Sequence, residues 1–221
     1  MAGTIKANTI QLGDSATATQ NFVLQTNVDG TAKLARGNQG ATTQDILTVD
    51  ANGLVAAPGG RQFLTLGTTV ATTSGTAVDF TGIPSWVKRI TVMFDSVSLS
   101  GTSAFLIQLG SGTVQTTGYN GAGGSISNAA VNVTGFVNST SGVPVQAAVA
   151  AGLWSGVFTI CFLGAGKWAI QGTVSSSTAS TGINSSSGSV TLSTPLDRVR
   201  ITTVNGTDTF DAGSMNIMYE G

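Results

Sequence analysis

The sequence predicts an all-β protein. An antiparallel β-sandwich of jelly-roll-like kind is expected over residues 61–221, preceded by an extended β-hairpin arm over 1–57 and a hinge at 58–60. Three observations carry this. Short apolar runs alternate with polar residues at period two, as in "RITVMFD" and "DRVRITT", the pattern of a strand with one buried face. Glycine-rich turn dipeptides punctuate these runs at the spacing of sandwich and barrel folds. Only residues 143–154, "VPVQAAVAAGLW", have helix-forming composition, and a short helix is expected there.

The elements follow in chain order. "NFVLQTNVDGTAKLARG" and "DILTVDANGLV" each read as strand, turn, strand, with Asp29-Gly30 and Asn52-Gly53 at the turns. The two pieces share a loose pattern, Leu24, Val28, Asp29 and Gly30 against Leu47, Val49, Asp50 and Gly53. These strands hold few large side chains, so the arm is expected to gain its core from neighbouring chains. Pro58 and the two glycines after it break any element. Beyond them, strands are expected at 61–71, 76–82, 89–100, 104–112, 128–138, 156–175, 188–193, 197–210 and 214–221. Along 90–95, Ile90, Val92 and Phe94 should face the core and Thr91, Met93 and Asp95 the other side. Along 198–202, Val199 and Ile201 should alternate with Arg198, Arg200 and Thr202. The low-complexity stretch 173–189 reads as a solvent-facing loop tip.

Composition removes several function classes. Charged residues are 9 % of the chain and the net charge is −1, where soluble domains carry about 25 % charge. Serine and threonine fill the gap, at about a quarter of the residues. Such a neutral, hydroxyl-rich surface suits a protein locked into an assembly. The nine basic residues are scattered, so nucleic acid is not an expected partner. No run approaches the length of a membrane span. "MAGTIKANTI" lacks the apolar core of a secretory signal, which points to a chain made and kept in a cytosol. Cys161 sits in the apolar run "FTICFLG" and is expected as a buried structural thiol.

The chemistry is sparse. There is no histidine, which removes Ser-His-Asp and Cys-His nucleophilic systems and most zinc sites. Asp208 and Asp211 form the nearest pair of acids in "NGTDTFDAG". They admit a Ca²⁺ site or, as the preferred reading, turn formers bonding their own backbone. The glycine clusters at 121–124 and 164–166 lack the Lys-Ser/Thr of a phosphate loop and read as ordinary loops. Asn132, Asn138, Asn184 and Asn205 head Asn-x-Ser/Thr triplets, expected to stay unmodified without a signal peptide. Trp86, Trp154, Trp168 and Tyr119 are candidates for a sugar-stacking platform, though Trp86 and Trp168 are expected at strand ends in the core. No cofactor or catalytic residue is expected.

"GTAVDFTGIPSWVKRITVMFDSVSLSG", then "LIQLGSG" and "TTGY", then "LDRVRITTVNGTDTFDAGSMNIMYEG" resemble a domain found in tail-fibre and other virion structural proteins of tailed bacteriophages. The N-terminal "MAGTIKANTIQLGDSATATQNFVLQTNVDGTAKLARG" resembles leader segments of such proteins. The resemblance implies a non-enzymatic component of a virion, released by lysis. A tail fibre is the first expectation, with a capsid decoration or head-fibre protein, or a module binding a host surface glycan, as alternatives. It also implies a homotrimer, with other virion proteins as partners through residues 1–57. A depolymerase is disfavoured because no acid pair stands out.

Two residue sets are singled out for contact. Tyr119, Asn120, Ser176 and Asn184 are candidates for touching a receptor, on the loop tips. Lys88 and Arg89, the adjacent basic pair of "SWVKRITV", are candidate inter-subunit contacts. Gly82, Ile83 and Pro84 before them should make a corner, with Pro84 fixing φ. Trp86 should cover the end of the core, and Arg89 should point outward to pair with a turn aspartate.

Overall fold

A computed structural model of the chain describes residues 9–17, 20–26, 31–38, 41–49, 55–56, 64–127, 130–145, 150, 152–176 and 182–221. The chain divides into two compact units, Met1–Phe63 and Leu64–Gly221. Every described pairing in both is antiparallel, so the all-β class is met. The expected hinge at 58–60 and the turns at Asp29-Gly30 and Asn52-Gly53 lie outside the described residues.

The first unit is a five-stranded meander, β1 (Thr9–Leu12), β2 (Phe22–Thr26), β3 (Ala32–Asn38), β4 (Ala41–Val49) and β5 (Val55–Ala56), each strand pairing with the next. Asn21 fixes its first connection. The Asn21 amide donates to Ser15 O at 2.6 Å and Asn38 Oδ1 at 2.5 Å, and its carbonyl oxygen accepts from Ser15 N at 3.0 Å. Ile10 faces Leu24, Leu12 faces Phe22, Leu24 faces Leu34, and Leu34 faces Leu47. Directly opposed residues share a face, so these six apolar side chains lie on one side. The other side carries Gln11, Gln25 and the Lys33–Asp45 ion pair (3.2 Å) around the buried Val23 and Ala35.

The second unit holds two sheets. The smaller has β10 (Phe105–Ser111) beside β18 (Arg198–Thr203), which pairs with β8 (Ala77–Thr81). The other edge of β10 is shared by β11 (Thr113–Val114) and β14 (Val143–Val145). The larger runs β13 (Ala130–Ser139), β12 (Asn120–Ser127), β17 (Gly182–Thr191), β16 (Lys167–Ser176), β15 (Trp154–Gly164), β9 (Arg89–Leu99) and β19 (Phe210–Glu220). Two short strands, β6 (Thr65–Leu66) and β7 (Val70–Ala71), pair with the free edge of β19.

One core joins both sheets. Phe105 of β10 lies 6.0 Å from Phe94 of β9 and stacks 6.1 Å from Phe210 of β19, and Phe94 meets Phe158 edge-on at 6.0 Å. Each fully buried Phe, Ile or Leu contributes about 1.5–3 kcal/mol. The alternation read for β9 and β18 is borne out: Ile90, Val92, Phe94, Val199 and Ile201 are buried. The chain changes sheets at the Gly82–Pro84 corner, where Gly82 has φ 74°. The Ile83 N–H donates to Asp197 O, and the Val87 N–H to Pro84 O, both at 3.0 Å. Trp86 is half-buried and tilts onto Tyr219 at 6.0 Å.

Three expectations are corrected. The helix expected at 143–154 is absent where the structure describes the chain: Val143–Val145 forms β14 and Trp154 opens β15, while 146–149 and 151 lie outside the described residues. Valines at 143 and 145 fit an extended edge, and Pro144 lies opposite Leu106 on an edge strand, where a missing N–H is tolerated. The "GAGG" read as a loop lies within β12. The loop expected at 173–189 is the ends of β16 and β17, paired residue by residue from Lys167↔Thr191 to Ser176↔Gly182; only 177–181 lie outside the described residues.

Candidate functional site

Three of the four residues singled out for receptor contact are interior. Tyr119 is 3 % exposed, Ser176 5 % and Asn184 1 %, so none offers a side chain to a receptor. The Tyr119 hydroxyl accepts from the Leu109 N–H at 2.6 Å and faces Leu109 O at 3.3 Å. It serves as a bolt between the connection leaving β11 and the centre of the smaller sheet. Burial pushes its ionisation up to about 12 from 10.0, against the lowering effect of the Leu109 backbone bond. The neutral phenol therefore contributes stability that is full below pH 10 and is lost as pH rises through about 12, worth about 3 kcal/mol. Tyr119→Phe should cost about 1–3 kcal/mol at neutral pH by orphaning the buried Leu109 donor. It should also flatten the fall in stability between pH 10 and 12. Urea unfolding of both proteins at pH 7 and pH 11 checks both effects.

Ser176 and Asn184 sit with Trp154 and Ser186 on the core side of β15, β16 and β17. Trp154 Nε1, Asn184 Oδ1 and Ser186 Oγ have no hydrogen-bond partner among the described residues, which makes this polar cluster a costly part of the interior. Trp154 and Trp168 are core residues, at 5 % and 4 % exposure, and so are unavailable as stacking platforms.

Asn120 alone of the four is exposed. It opens the outer face of the larger sheet, in register with Ser189 and Ala169. Ala122, Ser187, Gln171 and Thr159 form the next row of this face. Across β12, β17, β16 and β15 only Lys167 is charged. Two adjoining shallow troughs of about 310 and 530 Å³ run over this face, with Ile126 and Ile183 exposed at one end. Cys161, expected in the core, points to this face beside Ala169 and Arg89 and is half-buried. The strand period explains it, because Ile160 takes the core position.

Lys88 and Arg89 part company for the same reason. Arg89, the first residue of β9, pairs with Glu220 of β19 at 3.0 Å, both partly exposed. The partner is the cross-strand neighbour rather than a turn aspartate, and such a pair is worth about 0.2–1 kcal/mol. Lys88 turns to the other side and lies over the Phe162 ring, its Nζ 4.5 Å from the centroid. Among the described residues no carboxylate is in ion-pair range of Lys88. Its backbone is held on both sides: Lys88 N donates to Glu220 O, and Phe162 N donates to Lys88 O, both at 2.8 Å.

The cleft that Lys88 lines is the feature that sequence reasoning missed. It measures about 270 Å³ and opens between 85–88, the β15–β16 turn and the 192–196 connection. Its walls come from three segments far apart in the chain, so no local motif announces it. The asymmetry of a Lys-Arg pair on a strand was the available signal.

Asp208 and Asp211 are held differently. The Asp208 carboxylate accepts from Ser103 N at 2.9 Å. Asn205 Oδ1 accepts from Thr207 N and Asp208 N at 3.0 and 3.1 Å, an Asx-type turn. Asp211 lies exposed on β19. Elsewhere on the smaller sheet Arg200 clasps Asp79 through two bonds of 2.7 and 2.6 Å. Arg198 holds the Asp197 carboxyl below its usual range.

The first unit offers a further surface. On its apolar side Leu12 is 58 % exposed, Leu24 45 %, Leu47 39 % and Phe22 38 %. The Arg36 guanidinium lies 6.0 Å over the Phe22 ring at the margin of this side. Contiguous exposed apolar side chains of this kind mark association surfaces. No protein-family model, curated protein or solved structure matches the chain.

Proposed function

We propose that the chain is a non-enzymatic structural component of a bacteriophage particle, a tail fibre, that assembles as a homotrimer. In this reading residues 1–57 are an arm that docks on other virion proteins. The two-sheet unit is a projecting β-sandwich of jelly-roll-like kind. The protein is made in the host cytoplasm, joins the virion and leaves by lysis. One observation carries the assembly: the apolar side of the first unit, with Leu12, Phe22, Leu24 and Leu47 all at least 38 % exposed. A single sheet with one apolar face needs a second layer to be stable, and further copies of the same arm supply it symmetrically. The particle comes from the resemblance of 75–101 and 196–221 to fibre-type domains. The charge-poor, hydroxyl-rich composition and the lack of histidine fit a building block rather than a catalyst.

Immunogold labelling of purified phage with antibodies against the two-sheet unit tests the reading. Label at the tail is expected. Label spread over the head, at hundreds of copies by quantitative gel densitometry, supports the capsid-decoration or head-fibre alternative. Particles with no label and no band overturn the virion reading.

A further inference from the structure

We infer that the cleft beside Lys88 is a binding site for a carboxylate-bearing sugar, a hexuronate residue of an acidic glycan. This goes beyond the assembly role and does not depend on it. The floor of the cleft is apolar: Phe162, Ala165 and Pro195 present surface to it over the buried Val87, Leu192 and Leu196. Such a floor accepts the C–H face of a sugar ring. The rim is polar, with Ser85, Ser193 and Thr194. The Ser85 and Ser193 hydroxyls have no partner among the described residues, so they are available to ring hydroxyls. The one charge is the Lys88 ammonium. It rests on Phe162 at 4.5 Å, with no carboxylate in ion-pair range of it among the described residues. A cation seated on an aromatic face, at the mouth of an apolar cleft and without an anion, is matched by a ligand that brings its own carboxylate.

The walls are built to hold shape. Ser111 Oγ bonds Thr194 Oγ1 and donates to Pro195 O at 2.7 Å, fixing the 193–196 wall. Leu192 N donates to Gly166 O at 2.9 Å, tying that wall to the β15–β16 turn. Ala165 on the turn lines the cleft with φ 47°, a left-handed backbone that a non-glycine residue adopts at a cost. At about 270 Å³ the cleft lies just below the roughly 300–1,000 Å³ range of ligand sites, which suits one ring rather than an oligosaccharide. A phosphate ion would use Lys88 but leave the apolar floor uncovered, and a neutral hexose would use the floor but leave Lys88 unmatched.

Sodium glucuronate titrated into the full chain, followed by calorimetry and tryptophan fluorescence, tests the site, with glucose and inorganic phosphate as comparators. Saturable glucuronate binding is expected, at least tenfold tighter than either comparator. Lys88→Met keeps the contact with Phe162 and should weaken glucuronate about 10- to 100-fold, the loss expected for a hydrogen bond to a charged group. It should also erase the preference over glucose, while Lys88→Arg should stay within about threefold of the parent. If Lys88→Met does not fold, Ser193→Ala on the exposed wall takes its place, with a loss of about three- to tenfold. No saturable glucuronate binding, phosphate binding as tightly as glucuronate, or an affinity indifferent to both substitutions would overturn the assignment.

Discussion

Phe105→Ala should lower the stability of the two-sheet unit by about 3–5 kcal/mol, the range for truncating a fully buried phenylalanine. Phe105 has no exposed surface and joins the two sheets by touching Phe94 on one strand and stacking on Phe210 on another. Its own strand is central in the smaller sheet, bonded to β18 on one side and β14 on the other. The cavity left by the ring would border three strands held by ladders on their other sides, so collapse around it is limited. Against a total of about 5–15 kcal/mol for a typical domain, the loss should show in urea unfolding as a large fall in midpoint. Val204→Ala, at a site 51 % exposed, should stay within about 0.5 kcal/mol.

The second large effect concerns glycines that sequence reading took for loop chemistry. β14 crosses the core side of the larger sheet against β12 and β17. A Cβ on Gly188 would meet Asn120 O at 2.7 Å, and Gly121 Cα and Val143 Cγ2 at 2.8 Å. Gly121 is pressed in the same way by Gly142 O at 2.7 Å. Two of the three contacts at Gly188 are backbone and cannot rotate away. Gly188→Ala should therefore cost about 2–3 kcal/mol, toward the top of the range for overpacking. Gly188→Val should separate β14 from its seat. Thermal unfolding of the two variants checks the order: parent above alanine above valine.

The glycines and serines explain which parts of the fold were legible. β9 and β18 were legible because large β-branched and aromatic residues alternate with polar ones, as at Ile90, Val92 and Phe94. β12, the C-terminal half of β16 and the N-terminal half of β17 were not, because their core side is filled largely by Gly121, Gly123, Ser186 and Asn184. There the space that large side chains normally fill is occupied by β14. Hydrophobic period has nothing to register in such a strand, and the low-complexity reading wins by default. The site residues failed for a related reason. Tyr119 and Asn184 look like loop residues by their neighbours, yet their surroundings are set by Leu109 and by β16. The Lys88 cleft needs 85–88, 162–168 and 192–196 together, a proximity created by the β15–β16 turn and the sheet order.

Residues 1–57 hold few large side chains, and the first unit leaves the row Leu12, Phe22, Leu24 and Leu47 exposed. Sedimentation equilibrium of the purified full chain at micromolar concentration tests the assembly most directly. A mass three times the 22.1 kDa of one chain is expected, falling toward a single chain when Leu24 and Leu47 are both replaced by aspartate, with the two-sheet unit still folded by near-ultraviolet circular dichroism. A single-chain mass for the unaltered protein, or a trimer that the double substitution leaves intact, would contradict it.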